Sequence, residues 1–167
     1  SLFLLARCQE MLDRPREAAG LYSACLAIWP ESHQLSFNRG LAHYRASEFR
    51  EALADFQDAI RKKPNHPAAY IRSAMARQAL GQHAEAIADL DQAEALGSTE
   101  TRVYFLRAAN REALGDKAAA SRERAAGLAR EPSDEASYLF RGYARIASDP
   151  QAALADFAAR VLRWRQM

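Results

Sequence analysis

One alanine recurs along the chain at a fixed interval: Ala18, Ala52, Ala86, Ala120 and Ala153. The spacings are 34, 34, 34 and 33 residues. Prolines keep the same time at Pro30, Pro64 and Pro132, with Ser98 where the column lapses. A period near 34 points to a stacked helix–turn–helix array. Each unit of such an array touches only its neighbours, so the fold builds an extended surface rather than an enclosed reaction chamber.

The unit spanning 33–66 shows how one period folds. Apolar residues recur at helical spacing at Phe37, Leu41 and Tyr44, then at Phe49, Ala52, Leu53, Phe56 and Ile60. This predicts one helix over about 33–46 and a second over about 48–61. Ser47 lies between them, where its hydroxyl is expected to cap the second helix. Lys62-Lys63-Pro64 should end it, with cations at the negative end of the helix dipole and a proline stop. Gly81 and Gly115 fit left-handed caps of their first helices. Asp149-Pro150 reads as a capping carboxylate followed by a first-turn proline, in a turn expected to be one residue short.

Small residues occupy two columns: Ala6, Gly40, Ala74, Ala108 and Gly142 on first helices, and the alanine column on second helices. They let paired helices approach, while Tyr22, Phe56, Leu90 and Phe157 fill the space beside them. Charges are also in register. Arg39, Arg107 and Arg141 are followed by Asp55, Glu123 and Asp156 at intervals of 16, 16 and 15 residues. The matching pair in the first unit is Leu5 and Leu21. In the third, Asp89 faces the Ser73 column, with Arg72 or Arg77 as its cation. The covariation predicts ion pairs that brace the two helices of a unit.

These columns resemble the tetratricopeptide repeat family over essentially the whole chain. The family's aromatic, small residue, alanine, aromatic and proline are met by Tyr70, Ala74, Ala86, Leu90 and the lapsed Ser98. In the next unit they are met by Tyr104, Ala108, Ala120 and Pro132. Arg124 and Arg160 depart from the pattern, and their long stems can lie on apolar surface while reaching water. The resemblance implies an all-α fold: a right-handed superhelical solenoid of antiparallel helix pairs. It implies a single array over 1–167 with units at 1–32, 33–66, 67–100, 101–134 and 135–167.

The family lines its concave groove with first helices and binds peptides or helices of partner proteins there. Carried over by phase, the groove comprises Arg7, Phe37, Asn38, Leu41, Tyr44, Arg45, Ile71, Arg72, Met75, Arg102, Phe105, Phe140 and Tyr143. Apolar members serve equally well as packing between units. An apolar floor with arginines at intervals suits a peptide carrying hydrophobic anchors and acidic residues. The Lys column of the family's chaperone-binding clamp holds Phe3, Phe37, Ile71, Phe105 and Leu139, which points away from chaperone tails.

Other classes find little support. A net charge of +2 is too small to favour nucleic acid. Cys8 and Cys25 lack zinc-type spacing. No apolar run reaches the roughly 18 residues of a membrane span. His33, His43, His66 and His83 form no metalloprotease motif, and no phosphate loop or nucleophile motif occurs. The expectation is a non-catalytic scaffold or adaptor without cofactor or metal. Ser1 to Ala6 lacks the basic leader of a signal peptide. The chain begins inside a helical pattern, as an excised piece of a longer protein would.

Two further expectations concern context. The Asn-Arg-Gly and Ala-Asp-Phe flavour resembles arrays in cytoplasmic bacterial multidomain proteins, some attached to Ser/Thr kinases, which suggests a regulatory or structural segment as the alternative. No polar capping helix follows unit five, and Trp164 shares a phase with Trp29. That allows an interface with downstream sequence or self-association through uncapped ends.

Overall fold

The computed structural model describes residues 1–132 and 134–164, with side chains described as far as residue 161. Trp164, expected to pack like Trp29, has its side chain outside that range. Ten helices occur among the described residues, and no strand does. Two compact units divide the chain, Ser1–Leu96 and Gly97–Met167.

The first unit holds α1 (Leu2–Met11), α2 (Pro15–Ile28), α3 (His33–Arg45), α4 (Phe49–Lys62), α5 (Pro67–Ala79) and α6 (His83–Ala95). The second holds α7 (Arg102–Ala113), α8 (Lys117–Leu128), α9 (Glu135–Arg145) and α10 (Pro150–Trp164). Each odd helix and the even helix after it form one antiparallel hairpin. The predicted bounds of α3 and α4 hold to within a residue.

The turns inside the hairpins repeat as faithfully as the alanines. Asp13, Ser47, Gly81 and Gly115 share one phase, and all have positive φ, from 55° to 84°. Each lets the chain reverse just past the first helix, in a conformation that glycine adopts freely and other residues adopt at a cost. Ser47 is therefore not the cap predicted for α4. Glu48 holds the N-cap position and makes no side-chain capping bond.

The fifth hairpin solves the turn differently. Its missing residue does not shorten the connection. Instead α9 ends early at Arg145, and residues 146–149 join it to Pro150 with no positive φ among them. The Asp149 carboxylate accepts the Ala152 amide at 3.0 Å, the capping bond expected of it.

Packing follows the small columns. Ala6, Ala18, Tyr22, Cys25, Leu35 and Ala42 form a buried cluster, and Ala52, Phe56 and Ala76 form another. A Cβ added at Gly40 would meet the Phe56 ring at 2.7 Å, and one at Gly142 would meet Phe157 at 2.6 Å. Glycine stands in that column where a phenylalanine faces it. Cys25 is buried, whereas Cys8 is exposed and both are free thiols. The two departing arginines reach carboxylates at the surface: Arg124 pairs with Glu112, and Arg160 with Glu135 at 2.9 Å.

Candidate functional site

Two sets of arginines stand out in this chain, and separating them exposes the site. The first set braces hairpins. Arg39 grips Asp55 with Nε and Nη2, the shorter contact being 2.5 Å. Arg107 meets Glu123 at 3.2 Å, and Arg141 meets Asp156 at 2.7 Å. Asp55, Arg107, Arg141 and Asp156 are all buried. In the third hairpin the cation is Arg77, at 2.9 Å from Asp89, which also accepts the Ser73 hydroxyl at 2.7 Å.

A second column of basic residues completes the brace, and the sequence reading missed it. His43, Arg77, Arg111 and Arg145 stand 34 residues apart, one helical turn beyond the first column. Each approaches the same acid: His43 to Asp55 at 3.8 Å, Arg77 to Asp89, Arg111 to Glu123 at 3.5 Å and Arg145 to Asp156 at 3.0 Å. The signal was the same period that revealed the first column. In the first hairpin the corresponding positions are Leu5, Gln9 and Leu21.

The second set opens to solvent. Arg7, Glu10, Asn38, Leu41, Tyr44, Arg45 and Arg72 line one cleft of about 300 Å³ in the first unit. Helical phase places them: Arg7 on α1, the next four of the predicted residues on α3, and Arg72 on α5. Three guanidiniums and one carboxylate thus line the cleft. That carboxylate, Glu10, faces Arg7 at 3.4 Å and accepts the Tyr22 hydroxyl at 3.1 Å.

Three polar groups of the cleft are uncommitted among the described residues. The side chains of Asn38 and Arg45 make no hydrogen bond or ion pair among the described residues, nor does the Tyr44 hydroxyl make a hydrogen bond. Burial pushes the Tyr44 hydroxyl above its usual pKa, with the charge of Arg72 opposing that rise. At neutral pH it is a phenol able to donate. Arg72 also points Nη1 at the Met75 sulfur, 3.8 Å away.

Six of the thirteen predicted groove residues therefore meet in one place. Others do not. Ile71, Arg102 and Phe105 are buried and lie outside this cleft. Arg102 pairs with Glu100, and the Phe105 ring fills the space above Gly127. Phe37 is half-buried against Phe56 and His66, with ring centroids 5.8 and 5.1 Å apart. Phe140 is half-buried. Tyr143 is exposed and lies edge-on to Phe157 at 5.4 Å. Among the described residues no group of three or more metal-ligating side chains occurs, and no helix is long and apolar enough to cross a membrane.

Comparison with known proteins agrees with this architecture. A tetratricopeptide repeat model matches residues 1–32. Tetratricopeptide repeat protein 28 of Mus musculus is 38% identical over 63 residues, covering 38% of this chain and 3% of that protein. The chain thus spans a small fraction of that relative's length. The structure of a thermophilic TPR protein from Thermus thermophilus matches 96% of this chain and 88% of its own, with a TM-score of 0.74 at 17% identity. The first TPR of Spaghetti (RPAP3), bound to the HSP90 peptide SRMEEVD, matches 68% of this chain and 90% of its own, with a TM-score of 0.66 at 24% identity. The 34-residue period, the five helical hairpins and these likenesses agree on the fold of tetratricopeptide repeat proteins, with about five tandem units.

Proposed function

We propose that the chain is a non-catalytic protein-interaction module whose cleft on α1, α3 and α5 takes an acidic segment of a partner protein. The observation that carries this reading is the make-up of the cleft. Arg7, Arg45 and Arg72 converge there, Asn38 and Tyr44 add polar groups, and Leu41 gives an apolar floor. Guanidinium forks bind carboxylates through paired charge-assisted hydrogen bonds. The Spaghetti domain, similar in fold, holds a peptide that includes two glutamates and an aspartate. That likeness supports a peptide as the ligand class, although the clamp lysine column here holds Phe3 and Phe37.

The test is fluorescence anisotropy against an array of acidic peptides with apolar anchors. Arg45→Glu reverses an exposed charge that makes no ion pair among the described residues, so it should leave the helical circular dichroism unchanged. Binding should weaken by roughly tenfold or more, because a charge that met a carboxylate now repels it. Retention of full affinity by the folded variant would overturn the reading.

A further inference from the structure

Tyr22 carries a hydroxyl that the repeat does not need. Four residues after the periodic alanine, the other repeats hold Phe56, Leu90, Arg124 and Phe157. In the second repeat the Phe56 ring fills this space with no hydroxyl at all, and it is fully buried. Tyr22 is fully buried too, and its hydroxyl donates to Glu10 Oε2 at 3.1 Å. Burial, and then the Glu10 charge, push the phenol above its usual pKa, so it keeps its proton at neutral pH. The same oxygen faces Arg7 Nε at 3.4 Å. A line of three side chains thus runs outward from the core of the first repeat. Tyr22 is closed to solvent, the Glu10 side chain is 15% exposed and that of Arg7 is 58% exposed. Glu10 and Arg7 line the cleft, whereas Tyr22 stands behind it.

We infer that Tyr22 is a positioning residue of the cleft: it fixes the Glu10 carboxylate, and Glu10 holds Arg7 by its Nε end, leaving the two terminal nitrogens for an acidic side chain of the partner. This rests on the acidic-segment reading above and extends it to a residue behind the cleft wall. An arginine left to itself spreads over many rotamers and must be ordered at the moment of binding. A guanidinium held from behind is ordered when the protein folds, so less of that cost falls on the complex. Arg45, which makes no bond among the described residues, has no such support.

Nitrogen-15 relaxation of the arginine Nε–H groups, on the whole chain, tests the ordering. The order parameter of Arg7 Nε should exceed that of the exposed Arg45. Tyr22→Phe should bring it down to the Arg45 level and leave Arg45 itself unchanged. Phenylalanine already stands at this position in the second repeat, so the helical circular dichroism should not change. Fluorescence anisotropy with the tightest-binding acidic peptide of the array tests the consequence. Tyr22→Phe should weaken that peptide about threefold to tenfold, the ordering cost of one such side chain. In an Arg7→Gln background the same change should have no effect, because the residue it positions is gone. An unchanged Arg7 order parameter, an unchanged affinity, or an equal loss of affinity with and without Arg7 would overturn the assignment. Failure of every array peptide to bind the wild type would overturn the acidic-segment reading, whereas the Arg7 order parameter judges the link from Tyr22 to Arg7 by itself.

Discussion

The first and fifth repeats join their two helices at the same positions by opposite means. In the first, Leu5 and Leu21 occupy the brace positions and Gln9 replaces the second cation. In the fifth, Asp156 sits between Arg141 and Arg145, at 2.7 and 3.0 Å, with the acid 2% exposed. An apolar pair loses little when one member shrinks, because what remains is still apolar. A buried ionic triad fails abruptly, since removing one member strands the others. One fold therefore tolerates both solutions, but their responses to mutation differ in kind.

The largest expected effect comes from breaking the triad. Asp156→Ala leaves Arg145 without its carboxylate and Arg141 with only the exposed Glu131 carboxylate and the Arg130 carbonyl, and should cost about 3–5 kcal/mol. Leu21→Ala in the first repeat, which is only half-buried, should cost much less. Arg141→Leu combined with Asp156→Leu should be milder than the sum of the single changes, and adding Arg145→Leu milder still. Thermal melts of the single, double and triple variants measure this, and simple additivity would refute the coupling.

A smaller effect separates the two repeats at their closest helix approach. Gly142→Ala drives a methyl group into Phe157 and should cost about 1–3 kcal/mol. The first repeat already carries Ala6 at that position. There, Ala6→Gly should cost only about 0.5–1 kcal/mol through backbone freedom. Urea denaturation of both variants compares them directly.

Acid should sharpen the contrast last. Burial works to raise the pKa of Asp58 in the second repeat, but hydrogen bonds from Lys62, Ser36 and Arg61 outweigh it and hold the group at about 2, down from 3.8. Its folded pKa is depressed, so its contribution is complete above 3.8 and disappears as the pH falls towards 2. His33 and His66 are shifted below the ordinary imidazole value of 6.5, chiefly by burial. Their contribution is complete above 6.5 and declines as the pH falls through their folded values. His66 also accepts the Ala69 amide at 3.1 Å, a capping bond that protonation of Nδ1 removes. Urea midpoints between pH 7 and 5 should fall for the wild type, and less for His66→Asn, whose side chain keeps a capping oxygen.

Much of this was legible in the sequence because a repeat is read four or five times over. The alanine column, the small column and the Arg–acid intervals each announced a contact the structure contains. The second basic column was equally periodic, but one of its members is His43, and a mixed His/Arg column does not stand out by residue type. The turn column hid in the same way, since only two of its four members are glycine. What the period could not give was coverage. Helical phase assigns a residue to a side of its helix, but Ile71, Arg102 and Phe105 share the phase of groove residues and are interior. Whether a side is open depends on what the neighbouring elements lay over it, and that is a three-dimensional fact. The cleft was half legible for the same reason: phase put Arg7, Arg45 and Arg72 on one side of three different helices, and only folding shows which of their neighbours share a cavity with them.

The two thiols of the first repeat turn that repeat into its own clock. Cys8 is exposed and open to alkylation, while Cys25, enclosed by Ala6, Ala18, Tyr22 and Leu35, reacts only when the packing around α2 opens. The ratio of the two alkylation rates within one molecule therefore reports how often the packing around the hairpin without an ionic brace opens, with no engineered thiol introduced.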